Sequence, residues 1–343
     1  MPPGAGQGLA VSRRITAVVP AWNRAALLPE TLDRILAQTR APDEVIVVDD
    51  GSEDDTPAVL AGYASRGVRA VRTANAGDLA ARNVGLREAT GDLVAFCDSD
   101  DLWDHGYLAA MEGLWEARPD LRATYGNFRI VREGHWSDAT KFEDAPPGFW
   151  DGLAPLCPGA FTFEQPVAAR LVRFQPFFPA ALVADRAFLL AAGGWDEGVS
   201  GLIGRDFATA LRIAEHAPLG ILWEPLVGIR KHGSNDSGDV LAMNLGDADV
   251  LDHVIRTRPP YAAHAVAFRS SAAARRRAAL DTAFARGRFD DVRRIAALLP
   301  ADGLSALVRV KHAVAGLPEP ARALLARFVL AGGTLKGLLA RGH

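Results

Sequence analysis

Three short apolar runs, each ending abruptly in polar residues, constrain this chain more than any other feature. Residues 15–20, 44–48 and 93–97 are too short for helices and almost wholly apolar, the pattern of strands buried on both faces. Residues 68–71 read as a further strand. Between these runs Leu28, Leu32, Ile35 and Leu36 recur at helical spacing. Residues 79–89 fit a second helix, with Asp78 as its expected N-cap and Gly91 just past its end. Apolar strands alternating with helices imply an α/β fold: a mainly parallel, Rossmann-like sheet with helices on both faces and right-handed crossovers. In such sheets ligands bind outside the carboxyl ends of the strands.

The strand ends are therefore where chemistry is expected. The first run leads into Pro20-Ala21-Trp22-Asn23-Arg24, the second into Asp49-Asp50-Gly51-Ser52, and the last into Asp98-Ser99-Asp100-Asp101. Two carboxylates one residue apart repel when desolvated, so Asp98 and Asp100 need a cation or water. A hard divalent ion accepts such oxygens and keeps sites for waters and substrate phosphates; a solvated acidic turn is the plainer reading. Asp50 can accept hydrogen bonds from a base or ribose, or simply serve an ordinary Asp-Gly turn. Trp22 is either a core anchor or an aromatic face for a base. Gly77 leads into a helix carrying Arg82 in its first turns, a pairing suited to an anionic or uracil-bearing ligand, or only to a solvated charge. Residues 206–215 read as a helix, with Phe207, Ala210, Leu211 and Ala214 on one face. Cys97, inside an apolar strand, reads as a packed small hydrophobe.

Taken together the pieces resemble family 2 glycosyltransferases of the GT-A fold. The resemblance is carried by VVPAWNR (18–24), VVDDGSEDDT (47–56), NAGDLAARNVGL (75–86) and FCDSDD (96–101). Further along it rests on Gly193-Gly194-Trp195-Asp196-Glu197, on Arg205-Asp206, and on Arg230-Lys231-His232-Gly233-Ser234. It implies an inverting transfer of sugar from a nucleotide donor, UDP-linked by preference, to an acceptor hydroxyl in polysaccharide or glycoconjugate synthesis. By the resemblance, residues 20–24, Asp50, Gly77, Arg82, Asp98 and Ser99 surround the donor. Asp98, Asp100 and His232 hold a divalent metal, Mn²⁺ or Mg²⁺. Asp206 aligns with the catalytic base, and Trp195, Asp196 and Arg205 lie on the acceptor side. Arg205 stands where the family commonly has Glu, and Trp22 where Tyr or Phe is usual. The rival readings are a nucleotide-sugar or carbohydrate-binding protein on a degenerate transferase fold, and a sugar nucleotidyltransferase. The second lacks the glycine- and arginine-rich loop after the first strand that its chemistry requires.

Composition sets the remaining bounds. With 343 residues, 49% hydrophobic and 23% charged, the chain can bury a substantial core. A net charge of −3 gives no argument for a nucleic-acid partner, and two cysteines are too few for a disulfide framework or structural zinc. Residues 1–10 do not read as a secretory signal, and Gly4, Gly6 and Gly8 precede the first strand, so they imply no phosphate loop. A cytoplasmic chain is expected. The mean charge hides an asymmetry: residues 256–343 carry 16 basic and 5 acidic side chains, whereas the preceding 255 carry 22 and 36. The expected organisation is a catalytic domain over 13–255, with its donor half to about 117 and its acceptor half from 118, then a basic helical extension over 256–343. That extension is expected to pack as a cap that buries Leu324 and Phe328. Its other reading is weak contact with an anionic membrane at the inner face. The resemblance implies an acceptor that is a glycan, a lipid-linked molecule or a small molecule.

Overall fold

The computed structural model describes residues 13–233, 238–300 and 304–340. The glycine-rich stretch 4–8, the remainder of residues 1–12 and Ser234 of the basic loop lie outside the described residues. The chain divides into two compact units, Met1–Ser200 with Asp206–Gly233, and Gly201–Arg205 with Ser234–His343.

The first unit is built on one eleven-stranded sheet. Its first half runs β1 (Ile15–Ala21), α1 (Leu28–Leu36), β2 (Glu44–Asp49), α2 (Thr56–Tyr63), β3 (Val68–Arg72), α3 (Asp78–Glu88) and β4 (Leu93–Phe96). There follow β5 (Leu102–Trp103), α4 (Tyr107–Ala117), β6 (Ala123–Arg132), β7 (His135–Thr140), β8 (Leu153–Cys157) and β9 (Ala160–Phe163). The unit ends with α5 (Ala168–Leu171), β10 (Leu182–Asp185), α6 (Arg186–Ala191), α7 (Asp206–Ala214) and β11 (Leu219–Arg230). The strand order is β3-β2-β1-β4-β10-β6-β11-β9-β8, with β5 paired to β11 and β7 to β6.

The apolar runs behave as their composition requires. Every residue of β1 and β4 is buried, and β1 pairs in parallel with both β2 and β4. β3 closes that edge in parallel register and exposes Arg69 and Arg72, charges that discourage further strand addition. Past residue 118 the sheet is mixed. β10 runs antiparallel between β4 and β6, whereas β6 and β11 are parallel. A parallel neighbour needs a long crossover, but β8 and β9 are joined through Pro158-Gly159 alone and must be antiparallel.

Two glycines fix α3 over the sheet. A Cβ on Gly85 would run into the Val18 side chain, so only glycine lets α3 lie this close to β1. Gly77, at φ +92°, supplies the left-handed residue before the helix and is its N-cap. The expected Asp78 cap is thus corrected: Asp78 is already helical, and its carboxylate is drawn to Arg82 four residues on.

The second unit is helical: α8 (Val240–Thr257), α9 (Ala265–Ala285), α10 (Phe289–Ala297), α11 (Ala306–Ala315) and α12 (Ala321–Ala340). Leu280, Phe284, Ile295, Val308 and Val314 form its core. The unit starts ahead of the composition change near residue 256, because α8 packs on α9. The expected burial of Leu324 and Phe328 does not occur. They are 58% and 66% exposed, since α12 packs through the opposite face, at Ala326 and Val329. No helix among the described residues is long and apolar enough to cross a membrane.

Candidate active site

The polar strand ends are held in shape by one another. Asn23, at φ +51°, takes an N–H···O bond to Ser52 Oγ (2.9 Å), and its side-chain oxygen accepts from Glu53 N (2.8 Å) and Asp54 N (3.3 Å). The loops after β1 and β2 are thereby fastened together. Pro20 and Ala21 are buried in the sheet, while Trp22 beside them is 50% exposed and so is no core anchor. Asp49 is buried and paired with Arg72 at 2.5 Å. The buried Asp50 carboxylate accepts from Ala76 N (3.0 Å), Gly77 N (2.8 Å) and Thr73 Oγ1 (3.2 Å). It fixes the turn from which α3 departs.

Arg82 is the centre of the arrangement. It is only 3% exposed, and it is not a solvated helix charge. Its guanidinium donates through Nη1 to Asp78 (2.5 Å) and Asp206 (3.1 Å), and through Nη2 to Asp98 (2.6 Å). It lies 4.8 Å from the centre of the Trp195 ring, which in turn packs edge-on against Phe96. A buried cation of this kind is stable only with paired carboxylates, and three meet it from α3, the β4 end and α7. The neighbouring Asn83 holds the Trp195 backbone: its amide donates to Trp195 O and Glu197 Oε1 and accepts from Trp195 N. Trp195 is therefore buried beneath the guanidinium. Asp196 pairs with Arg212 at 2.9 Å and caps the short turn at Glu197–Val199. Arg205 belongs to the Gly201–Arg205 stretch of the second unit, where its guanidinium donates to Leu202 O. Arg82 lies at hydrogen-bond distance from Asp206.

On the acidic loop, burial is the main influence on Asp98. It raises that carboxyl above its usual range, opposed by Arg82 and reinforced by Asp100. Asp100 meets His232 Nε2 at 2.9 Å and lies 3.6 Å from Arg24 Nε. Ser99 is buried, and its carbonyl accepts from Thr31 Oγ1. Asp101 is pushed well above the carboxylate range by burial and by Asp100 and Asp98. Its Oδ1 accepts from Arg230 N (2.9 Å), tying β11 to the loop. Arg230 adds bonds to Glu30 Oε2 (2.7 Å), Leu27 O, Thr31 Oγ1 and Asp100 O. Cys97 is fully buried and its thiol is pushed up, an inert core residue.

Asn83, Asp101 and Arg230 were not singled out by the sequence. The third acid of Asp98-Ser99-Asp100-Asp101 and the Asp78–Arg82 spacing of four were the available signals. Among the described residues no three His, Cys, Asp or Glu side chains form a ready metal cage. Asp100 and His232 are a two-donor set of oxygen and imidazole nitrogen. That suits a divalent ion which takes its other ligands from phosphate and water.

The model of glycosyl transferase family 2 matches residues 16–161, a span that contains β1, the acidic loops and α3. Residues 16–161 carry a family 2 glycosyltransferase domain. Relatives of this transferase domain include the uncharacterized glycosyltransferase YwdF of Bacillus subtilis (strain 168), 37% identical over 99 residues. That match spans 29% of this chain and 37% of YwdF. Validoxylamine A glucosyltransferase of Streptomyces hygroscopicus subsp. limoneus is 31% identical over 221 residues, 59% of this chain and 48% of the relative. The chain thus spans less than half the length of either. Two solved structures share the GT-A fold. TarS 1–349 of S. aureus, solved with UDP-GlcNAc, has a TM-score of 0.58 and 17% identity over 88% of this chain and 87% of that one. The mannosyltransferase PcManGT of Pyrobaculum calidifontis, solved with GDP-Man and Mn²⁺, has a TM-score of 0.53 and 23% identity over 95% and 87%.

Proposed function

We propose that this chain is an inverting glycosyltransferase, moving a sugar from a nucleoside-diphosphate donor to an acceptor hydroxyl by direct displacement. The observation that carries the reading is the sharing of one buried guanidinium by Asp98 and Asp206. A donor-side carboxylate and a carboxylate at the start of α7 thereby lie within the span of a single side chain. A UDP-sugar is the favoured donor, in keeping with the UDP-GlcNAc bound by TarS; the GDP-Man bound by PcManGT makes a GDP-sugar the second choice. The acceptor is a glycan, a lipid-linked molecule or a small molecule, in surface polysaccharide or glycoconjugate synthesis.

In this reading the exposed Trp22 ring offers a face to the base, and the loop steadied by Asp50 borders the nucleoside. Asp98 and Ser99 adjoin the donor, and Arg24 adds positive charge beside Asp100. Asp100 and His232 would hold Mn²⁺ or Mg²⁺, which when bound offsets the charge of the diphosphate. Asp206, held in orientation by Arg82, accepts the proton of the acceptor hydroxyl. As it does so, that oxygen bonds to the anomeric carbon and the bond from that carbon to the diphosphate breaks. Attack opposite the leaving group inverts the anomeric centre.

The test is a screen of nucleotide sugars for diphosphate release, with and without Mn²⁺ or Mg²⁺, on the wild type and Asp100→Asn. One donor should be consumed in a metal-dependent way, and Asp100→Asn should raise the metal concentration needed for half-maximal release by about 10–100-fold or more. Binding of nucleotide with no sugar released under any condition would leave a binding protein. An unchanged metal response in Asp100→Asn would remove that residue from the site.

A further inference from the structure

Among the described residues the C-terminal helices leave an apolar face exposed, and the charged residues near it are mainly basic. On α12, Ala321, Leu324, Leu325, Phe328 and Ala331 follow one another at spacings of one or three residues along one side of the helix and are all exposed. Ala326 and Val329, on the other side, pack into the core of the unit. On α11, Leu307 and Val310 are exposed in the same way while Val308 and Val314 are buried. These helices are therefore apolar on two sides, one turned to the core and one turned outward. From residue 304 to the end the sequence carries six Lys or Arg against a single acid, Glu319. Arg322 is satisfied by that Glu319, whereas Arg327 and Arg309 are exposed next to the outward residues.

We infer that the outward face of α11 and α12 docks on an anionic bilayer surface. Its apolar side chains would enter the boundary between headgroups and acyl chains, with the basic side chains on lipid phosphates. An interfacial helix needs an apolar side that nothing else covers and basic residues beside it, without the length and apolarity of a spanning segment. All these conditions hold among the described residues. A second copy of the chain fits less well. A two-fold interface sets the same patch against itself, so the two basic rims would face each other. An anionic surface instead gains about fivefold in partition for each well-placed Lys or Arg.

The test is flotation of the full-length protein with vesicles of phosphatidylcholine alone, and with phosphatidylcholine and phosphatidylglycerol at about 7:3. Binding should occur on the anionic vesicles, at least about tenfold above the neutral ones. It should weaken strongly between 0.1 M and 1 M salt, as the Debye length falls from about 10 Å to about 3 Å. The double variant Leu324→Ser, Phe328→Ser should lose at least about tenfold in partition with an unchanged melting temperature, because both side chains are already in water. Arg327→Gln should lose about fivefold, and this second variant keeps the test informative should the first lower the melting temperature. Three results would overturn the inference: no preference for anionic vesicles, retention of full binding by both variants, or loss in the double variant only of a concentration-dependent self-association seen without lipid.

Discussion

The sheet unit gathers charge from further apart along the chain than the helical unit does. In the sheet unit it is gathered across the chain and taken inward. Arg82 joins carboxylates on α3, the β4 end and α7, and Arg230 ties β11 to α1 and to the acidic loop. In the helical unit four surface pairs are closed within one turn: Arg288–Asp291, Arg293–Asp290, Arg294–Asp291 and Arg322–Glu319. Other pairs there join separate elements: Arg275–Asp247, Arg286–Asp239, Lys311–Asp281, and the nearly buried Arg276, shared between Asp249 and Asp252. A pair made across the fold holds separate loops at fixed spacing, which a site requires. A pair made within one turn holds nothing but itself.

The contrast can be broken by removing one arginine at a time and measuring stability. All seven tryptophans precede residue 234, so their fluorescence follows the sheet unit, while far-ultraviolet circular dichroism follows both. Arg82→Met should cost the most, about 3 kcal/mol, the low end for breaking a buried ion pair because its carboxylates retain some water. Urea midpoints read by fluorescence should reveal it, and a cost under about 1 kcal/mol would mean that the three carboxylates do not need this cation. Arg82→Lys should recover only part of the loss, since one ammonium cannot reproduce the fork. Arg276→Met should cost less, about 1–2 kcal/mol, because both of its partners are substantially exposed. That loss should appear in circular dichroism with fluorescence unmoved. Arg293→Ala should change stability by no more than about 0.5 kcal/mol. If it matched Arg276→Met, the distinction between local and gathered pairs would fail in this unit.

Much of the site was legible where it depended on one strand and the turn after it. β1, β2 and β4 are apolar because both faces are covered, and their polar ends stand where a parallel sheet exposes its loops. Asp98, Asp100 and Asp206 could be named from that logic together with the family resemblance. The part that escaped depends on closure between distant residues. Arg82 and Asp206 lie 124 positions apart, and Arg230 and Asp100 lie 130 apart. No periodicity records such pairs. The antiparallel insertion of β10 between β4 and β6 was hidden for the same reason, since its partners are chosen by tertiary packing. On α12 the apolar residues were visible in the sequence, but not which of its two apolar sides faces the core.

The central claim is that the carboxylate held by Arg82 at the start of α7 receives the acceptor proton. Asp206→Asn retains an oxygen to accept from Arg82 and removes only the basicity, so the fold and the donor loops should be undisturbed. Initial rates of transfer and donor affinity, measured side by side on the donor found in the screen, test this directly. Turnover should fall by about 10²–10⁴-fold while donor affinity stays within about twofold. An Asp206→Asn variant that transfers sugar at the wild-type rate would contradict the account and move the base elsewhere.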